Sequence, residues 1–187
     1  MHRTRTLASM IGAVALLAAF LLGACAPAPT ATPIPTETPL PRPTVPPGVW
    51  QPLSDRDCQD LGRAVREALH TRAESTVVSF QDPIGGESGG ACQLTIQGTG
   101  AQYNSPMDVV DALRQPLEER GWHEQLEYAA GGPTGMTIGY RMGNALCLIS
   151  ASWEPAKGID CGDKPITECG LTPDQQFYTI TVTAAKR

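Results

Sequence analysis

The chain has 187 residues, a formal net charge of −5, and an aromatic content of only 5%. From residue 49 onward it carries 11 basic and 18 acidic residues, a net charge of −7. An acidic chain without a basic stripe argues against binding of nucleic acid, and so few aromatic residues argue against a broad platform for stacking bases. The length of this part suits one domain and argues against two.

Residues 1–24 have the organisation of a bacterial signal peptide. Two arginines among the first five residues precede an almost continuous apolar run over residues 7–22. The run ends in four residues that resemble the lipobox of bacterial lipoproteins, Leu22-Gly23-Ala24-Cys25. The resemblance implies cleavage before Cys25 and attachment of a lipid to its thiol.

The lipobox resemblance also implies a location in the bacterial cell envelope, outside the cytoplasm, with the membrane as a partner through the lipid anchor. The alternative is an uncleaved transmembrane helix over residues 7–26, since about 20 apolar residues span a bilayer. Both interpretations tether the rest of the chain to a membrane.

Residues 25–48 are predicted to be the lipidated cysteine and a spacer, followed by a single domain over 49–187. Nine of the 17 prolines lie in this stretch. Proline at this density prevents a helix, removes amide donors and favours extended polyproline II. At about 3.1 Å per residue, the spacer would reach up to about 70 Å from the membrane.

Two helices are predicted in the domain. The first begins after Ser54, an N-cap residue, and its apolar residues recur at helical spacing as far as Leu69. The second begins with Ser105 as N-cap and Pro106 as first helical residue, and Gly121 is placed to terminate it.

Strands are predicted before and after the second helix. The glycine-rich stretch 85–90 is interpreted as a hairpin loop, because it lacks the lysine and the following helix of a phosphate-binding loop. The alternating or turn-bounded segments that we assign to strands are 75–81, 91–97, 123–130, 135–142, a strand beginning at 145, and 177–183.

The turn Gly143-Asn144 predicts the register of the strands on either side of it. If Met142 faces Ala145, apolar residues pair with apolar residues along one face: Tyr140 with Cys147, Ile138 with Ile149 and Met136 with Ala151.

The predicted order is therefore helix, two strands, helix, four strands. We expect an α+β domain in which a single antiparallel sheet of about six strands carries two helices on one face. The other face of the sheet is rich in threonine and glutamine, which suits a face left to solvent.

Five cysteines remain besides the lipidated one, and disulfides persist outside the cytoplasm. Cys161 and Cys169 lie in a long loop, where we expect a local disulfide; a zinc site there would lack two further ligands. Of Cys58, Cys92 and Cys147, all placed toward the core, one pair is expected, and the sequence leaves open which. The third is interpreted as an inert thiol, with a redox or nucleophilic role as the alternative.

We find no recognised catalytic, metal-binding or cofactor-binding motif. His123 and Glu124 are neighbours in a predicted strand, so their side chains should point to opposite faces. Asp160 and Asp163 lack the twelve-residue pattern of a calcium loop. The sequence therefore predicts no catalytic residue, no metal site and no cofactor.

The function expected from these features is that of a non-enzymatic envelope lipoprotein that offers a surface to an unknown protein or small-molecule partner. An envelope hydrolase with a dispersed site is one alternative, and a thiol-redox or cofactor-carrying module is another. A deep pocket with clustered carboxylates or a histidine would favour the enzyme. A shallow sheet face lined by threonine would favour binding, and an exposed reactive thiol would favour redox chemistry.

Overall fold

The computed structural model describes residues 49–187, so the predicted signal peptide, lipobox and spacer lie outside the described residues. The two helices are α1 (Asp55–Leu69) and α2 (Pro106–Glu118). The strands are β1 (Gln51–Pro52), β2 (Glu74–Gln81), β3 (Ser88–Thr99), β4 (His123–Gly132), β5 (Gly135–Met142), β6 (Ala145–Pro155) and β7 (Gln176–Lys186). Neither helix of this part of the chain has the length and apolar character needed to cross a membrane.

The strands form one antiparallel sheet in the order β2-β3-β7-β6-β5-β4, with β1 paired to the end of β7. The predicted α+β class with a single antiparallel sheet and two helices is confirmed. The predicted strand count of six and the predicted order are corrected, because β1 precedes α1 and adds a seventh strand. Two residues are too few to show an alternating pattern, and β1 exists only because β7 lies beside it.

Both helices begin at the predicted residues because a serine caps each N-terminus. The Ser54 hydroxyl accepts a hydrogen bond from the Asp57 amide at 3.2 Å, and the Ser105 hydroxyl accepts one from the Asp108 amide at 3.1 Å. These bonds satisfy amide groups that have no partner within the first turn of a helix.

The main core lies between the helices and one face of the sheet. Apolar residues of α1 and α2 belong to the same buried cluster as the alternate residues of β3, β5, β6 and β7. Its largest fully buried side chains include Tyr140, Tyr178, Leu94, Ile96, Leu113 and Ile149. Both helices therefore cover this face, and we call the opposite face of the sheet the open face.

The predicted register of β5 and β6 is confirmed over the whole hairpin. Met142 faces Ala145, and the apolar pairs continue with Tyr140 and Cys147, Ile138 and Ile149, and Met136 and Ala151. The residues between them lie on the open face and are more polar. Since a slip of one residue would exchange the two faces, burial of the apolar set specifies the register.

The hairpin between β2 and β3 is tighter than predicted, because β3 begins at Ser88 and includes two of the glycines. The sequence pattern assigns those glycines to the loop, but Gly89 pairs with Phe80 in the sheet. A Cβ atom on Gly89 would collide with the backbone carbonyl of Trp50. Glycine is therefore needed where the Trp50 backbone pairs alongside β3.

Candidate functional site

The open face has two parts of different chemistry. One end carries a second, smaller core, whose buried members are Trp50, Phe80, Ala91, Tyr128, Leu146 and Ala185. Beside it lies a shallow depression of about 290 Å³, which we call the threonine depression. It is lined by Ser79, Phe80, Gln81, Gln93, Thr137, Leu148, Ser150, Thr181 and Thr183.

Aromatic side chains hold the smaller core together. Trp50 is fully buried and meets Phe80 edge to face, with their ring centroids 5.6 Å apart. The Tyr128 ring lies directly over Gly139, where an added Cβ would come within 2.7 Å of the Tyr128 Cβ. A side chain at position 139 would therefore push the tyrosine off the sheet, and glycine permits the contact.

A polar network closes the end of the smaller core. Asp82 is the one polar or charged residue that is buried among residues 49–187, with 1% of its surface exposed. The Tyr128 hydroxyl donates to its Oδ1 at 3.1 Å, and the Ile84 amide donates to the same oxygen at 3.0 Å. Arg141 in turn donates to the Tyr128 hydroxyl at 2.8 Å. Arg187 lies 3.9 Å from Asp82.

The network keeps Asp82 ionised and Tyr128 protonated. Burial by itself would raise the pKa of Asp82, but the amides of Ile84 and Gly85, the Tyr128 hydroxyl and the charge of Arg141 outweigh burial and lower it. Burial raises the pKa of Tyr128, and this effect exceeds the opposing hydrogen bond from Arg141. Neither group changes its charge near neutral pH. The hydrogen bonds of the network therefore stabilise the fold equally across that range.

Asp82 is absent from the sites predicted from the sequence, although a local signal for it was present. Asp82-Pro83 directly precedes the glycine-rich stretch, and an aspartate at the start of a turn often accepts a hydrogen bond from the amide two residues later. The bond from the Ile84 amide has this pattern. The contacts of Asp82 with Tyr128 and Arg141 join residues far apart in the sequence, so no local sequence pattern predicts them.

The threonine depression presents uncharged hydrogen-bonding groups. The Gln93 side-chain amide donates to the Thr183 hydroxyl at 3.0 Å, and the Thr137 hydroxyl donates to the Ser150 hydroxyl at 3.2 Å. A hydroxyl has one donor and two acceptor lone pairs, so each pair retains capacity for a further hydrogen bond. No charged side chain is among the residues that line the depression.

A groove of similar volume lies on the helix side and carries charged residues, among them Asp57, Asp60, Arg63 and Arg120. The carboxylates are already engaged within α1: Asp60 pairs with Arg63 at 2.8 Å, and Asp57 accepts from the Ser54 hydroxyl. No histidine lines this groove. Both carboxylates of the groove therefore have partners, and no histidine stands beside them to act as a general acid or base.

His123 and its neighbour Glu124 are not brought together into a site. His123 lies opposite Arg141 on the open face, whereas Glu124 lies toward the helices and accepts from Arg114 at 3.1 Å. The neighbours thus point to opposite faces. Within residues 49–187, no group of three or more histidine, cysteine or acidic side chains is placed to hold a metal ion.

The prediction of disulfides is confirmed, and residues 49–187 contain two of them. Cys161 is joined to Cys169 within the long loop, with Cα atoms 5.3 Å apart. Cys58 of α1 is joined to Cys92 of β3, with Cα atoms 6.1 Å apart. The sequence left three pairings open among Cys58, Cys92 and Cys147. The structure has the pairing of Cys58 with Cys92, which links the first helix covalently to the sheet.

Cys147 is left as a free and fully buried thiol. It lies in the same row of the sheet as Cys92, with Ala184 of β7 between them. Burial raises the pKa of the Cys147 thiol to about 12. Because the thiolate is the reactive form, this environment disfavours both nucleophilic attack and exchange with the nearby disulfide.

The predicted lipidation residue, Cys25, lies outside the described residues. The described part thus offers an uncharged hydrogen-bonding surface, the threonine depression, beside a structural network around Asp82. Comparison of the chain with known proteins finds no matching family model, no matching curated protein and no matching solved structure.

Proposed function

We propose that this chain is a non-enzymatic binding module of the bacterial cell envelope, anchored by a lipid on Cys25 and binding its ligand on the open face. The observation that supports binding is the lining of the threonine depression by hydroxyl and amide groups. The two disulfides are compatible with a location outside the cytoplasm.

The ligand that suits the depression is uncharged and carries many hydroxyl or amide groups, the chemistry of a neutral glycan. A charged ligand would lose its hydration without gaining a counter-charge from the lining. The net charge of −7 on the domain also repels polyanions at long range. Phe80 and Leu148 add an apolar floor, against which the C–H face of a sugar ring can pack.

Binding should weaken when hydroxyls of the depression are removed. We expect Thr181→Val and Ser150→Ala each to reduce the affinity for a neutral glycan about fivefold, since a lost hydrogen bond is worth about 1 kcal/mol. The matched control is Thr179→Val, which lies on the same strand and face but outside the depression. The measurement is isothermal titration calorimetry against neutral and anionic oligosaccharides. Binding of the anionic set alone, or an equal loss with Thr179→Val, would contradict the proposed site.

Anchoring should depend on one thiol. We expect Cys25→Ser to leave an unprocessed chain without lipid. In the bacterial lipoproteins that residues 22–25 resemble, the diacylglycerol is attached to a cysteine thiol, and a serine hydroxyl does not replace it. Metabolic labelling with a palmitate analogue, followed by gel analysis of membranes, measures the effect. The matched control, Cys147→Ser, should keep the label. Labelling of the Cys25→Ser chain would refute the anchor.

A further inference from the structure

A row of hydroxyl groups crosses the open face at right angles to the strands. Four residues that are direct neighbours in the sheet register carry them: Thr95 of β3, Thr181 of β7, Ser150 of β6 and Thr137 of β5. Neighbouring strands lie about 4.8 Å apart, so the row is about 14 Å long. We call these four residues the hydroxyl row. Three of them line the threonine depression, and Thr95 continues the row toward β2.

The hydroxyl row is accessible along its whole length. Each of its side chains is partly exposed. At one end Thr137 pairs with Ala130 of β4, and at the other Thr95 pairs with Glu74 of β2. Both of these end residues are exposed, so the row is open at each end. Glu74 is the first charged residue along the row, and the uncharged part therefore spans four strands.

The direction along the strands is closed at one end by the smaller core. On β7, Ala185 lies four residues beyond Thr181. Its neighbour Leu146 lies four residues before Ser150 on β6. Both Ala185 and Leu146 are fully buried within the smaller core, among its aromatic side chains. A ligand that ran along the strands would meet this core after about 14 Å, whereas one that ran across them would pass beside it.

We propose that the ligand of the open face is an extended, linear and uncharged glycan that lies along the hydroxyl row, across the strands. The inference rests on the proposed binding function and adds the shape and direction of the ligand. A sugar ring in an extended chain advances the glycan by roughly the separation of two neighbouring strands, about 4.8 Å. Successive rings therefore meet successive hydroxyls, and a chain of four rings covers the uncharged part of the row.

The hydrogen-bonding capacity of the row suits sugar hydroxyls. Thr137 donates to Ser150 at 3.2 Å, which leaves acceptor lone pairs on both oxygens. A sugar hydroxyl can donate to these lone pairs. No residue of the row carries a charge, so an ionised sugar would lose its hydration there without gaining a counter-charge. Glu74 at the end of the row would also repel a polyanion.

Apolar side chains lie beside the row, on the side of the smaller core. Leu148 is two residues from Ser150 on β6 and shares its face of the sheet, and Phe80 lines the same depression. A sugar ring has hydroxyl groups at its edge and C–H groups on its faces. The row supplies hydrogen bonds to the edge, while Leu148 and Phe80 supply contacts to the C–H groups, so one ring is bound through both.

The dependence of affinity on chain length tests the extended ligand. Isothermal titration calorimetry is performed on the full chain, purified from membranes in a detergent without a sugar headgroup. The probes are β-1,4-linked oligomers of glucose and of N-acetylglucosamine, with one to six rings. We expect the affinity to rise about fivefold for each ring up to four, the effect of one added hydrogen bond, and by less than about twofold beyond four. Oligomers of α-1,4-linked glucose are the matched control, because their chains curve away from a straight row and should show no such gain.

Two threonine variants test the direction of the ligand. Thr95 and Thr179 are both neighbours of Thr181, the first across the sheet and the second along β7. We expect Thr95→Val to weaken binding of the four-ring oligomer about fivefold, because one hydrogen bond of the row is lost. The two-ring oligomer should lose less than about twofold, since it can occupy Ser150 and Thr137. Thr179→Val is the matched control and should leave both affinities unchanged.

The outcomes separate this inference from the proposed binding function. Equal affinity for one ring and four rings, an equal gain with the α-1,4-linked series, or a loss with Thr179→Val and not with Thr95→Val would each overturn an extended ligand across the strands. Binding of a single ring in those cases would leave the binding function intact. Absence of binding to every uncharged oligomer would overturn both. An intact Cys58–Cys92 disulfide and an unchanged thermal unfolding midpoint verify the fold of each variant.

Discussion

Replacing Cys58 and Cys92 together with alanine lowers the free energy of unfolding by about 4 kcal/mol, because the disulfide restricts a 34-residue segment of the unfolded chain. The disulfide ties α1 to β3, so its loss also loosens the packing of the first helix on the sheet. The corresponding replacement of Cys161 and Cys169 costs less, about 2.5 kcal/mol in the same chain-entropy relation, because those residues are 8 apart.

Denaturant unfolding of the two double variants and the parent chain measures this difference. Peptide mass spectrometry without reduction identifies the pairs in the parent. In the same samples, a thiol reagent should label Cys147 only after denaturation, because its thiol is buried and its pKa is raised to about 12. An equal loss of stability in the two double variants would show that loop length does not govern the effect. Rapid labelling of native Cys147 would revive the redox alternative.

Asp82→Asn is expected to lower the free energy of unfolding by about 2 kcal/mol at pH 7, since a hydrogen bond to a charged group contributes about 1.5–3 kcal/mol. The replacement keeps the size of the side chain but removes the charge that Tyr128, Arg141 and Arg187 surround. Asp163→Asn in the exposed loop is the matched control and should change stability by less than about 0.5 kcal/mol.

The effect of Asp82→Asn should depend on pH with a defined sign. The pKa of Asp82 is lowered in the folded state, so folding favours its ionised form. Its contribution is complete above the unfolded-state pKa of about 3.9 and is lost as the pH falls through the lower folded-state value. Denaturant unfolding between pH 7 and pH 2 should therefore show the parent and variant converging at the acid end. A constant difference over this range would contradict an ionised Asp82.

The two parts of the open face have separate roles in this interpretation. The smaller core, in which Trp50 is buried, and the Asp82 network stabilise one end of the sheet. The threonine depression is left uncovered within residues 49–187 and supplies the hydrogen-bonding surface.

Local and periodic patterns predicted a large part of this fold. The helix starts followed from single side chains, because a serine hydroxyl caps the first turn whatever the rest of the chain does. The register of β5 and β6 followed from the Gly143-Asn144 turn, because only one register places every apolar pair on one face. The α+β class followed from the order of these elements.

Features that depend on distant pairing were determined only by the tertiary structure. The partner of Cys58 depends on where α1 lies over β3, and three core-facing cysteines carry no local sign of which two meet. The strand β1 is defined by its neighbour β7, and the burial of Asp82 requires Tyr128, 46 residues away. By itself the sequence determined the elements and the faces they bury, since those depend on near neighbours. The assembly of the sheet determined the disulfide, the buried network and the depression, since each joins residues that the chain keeps far apart.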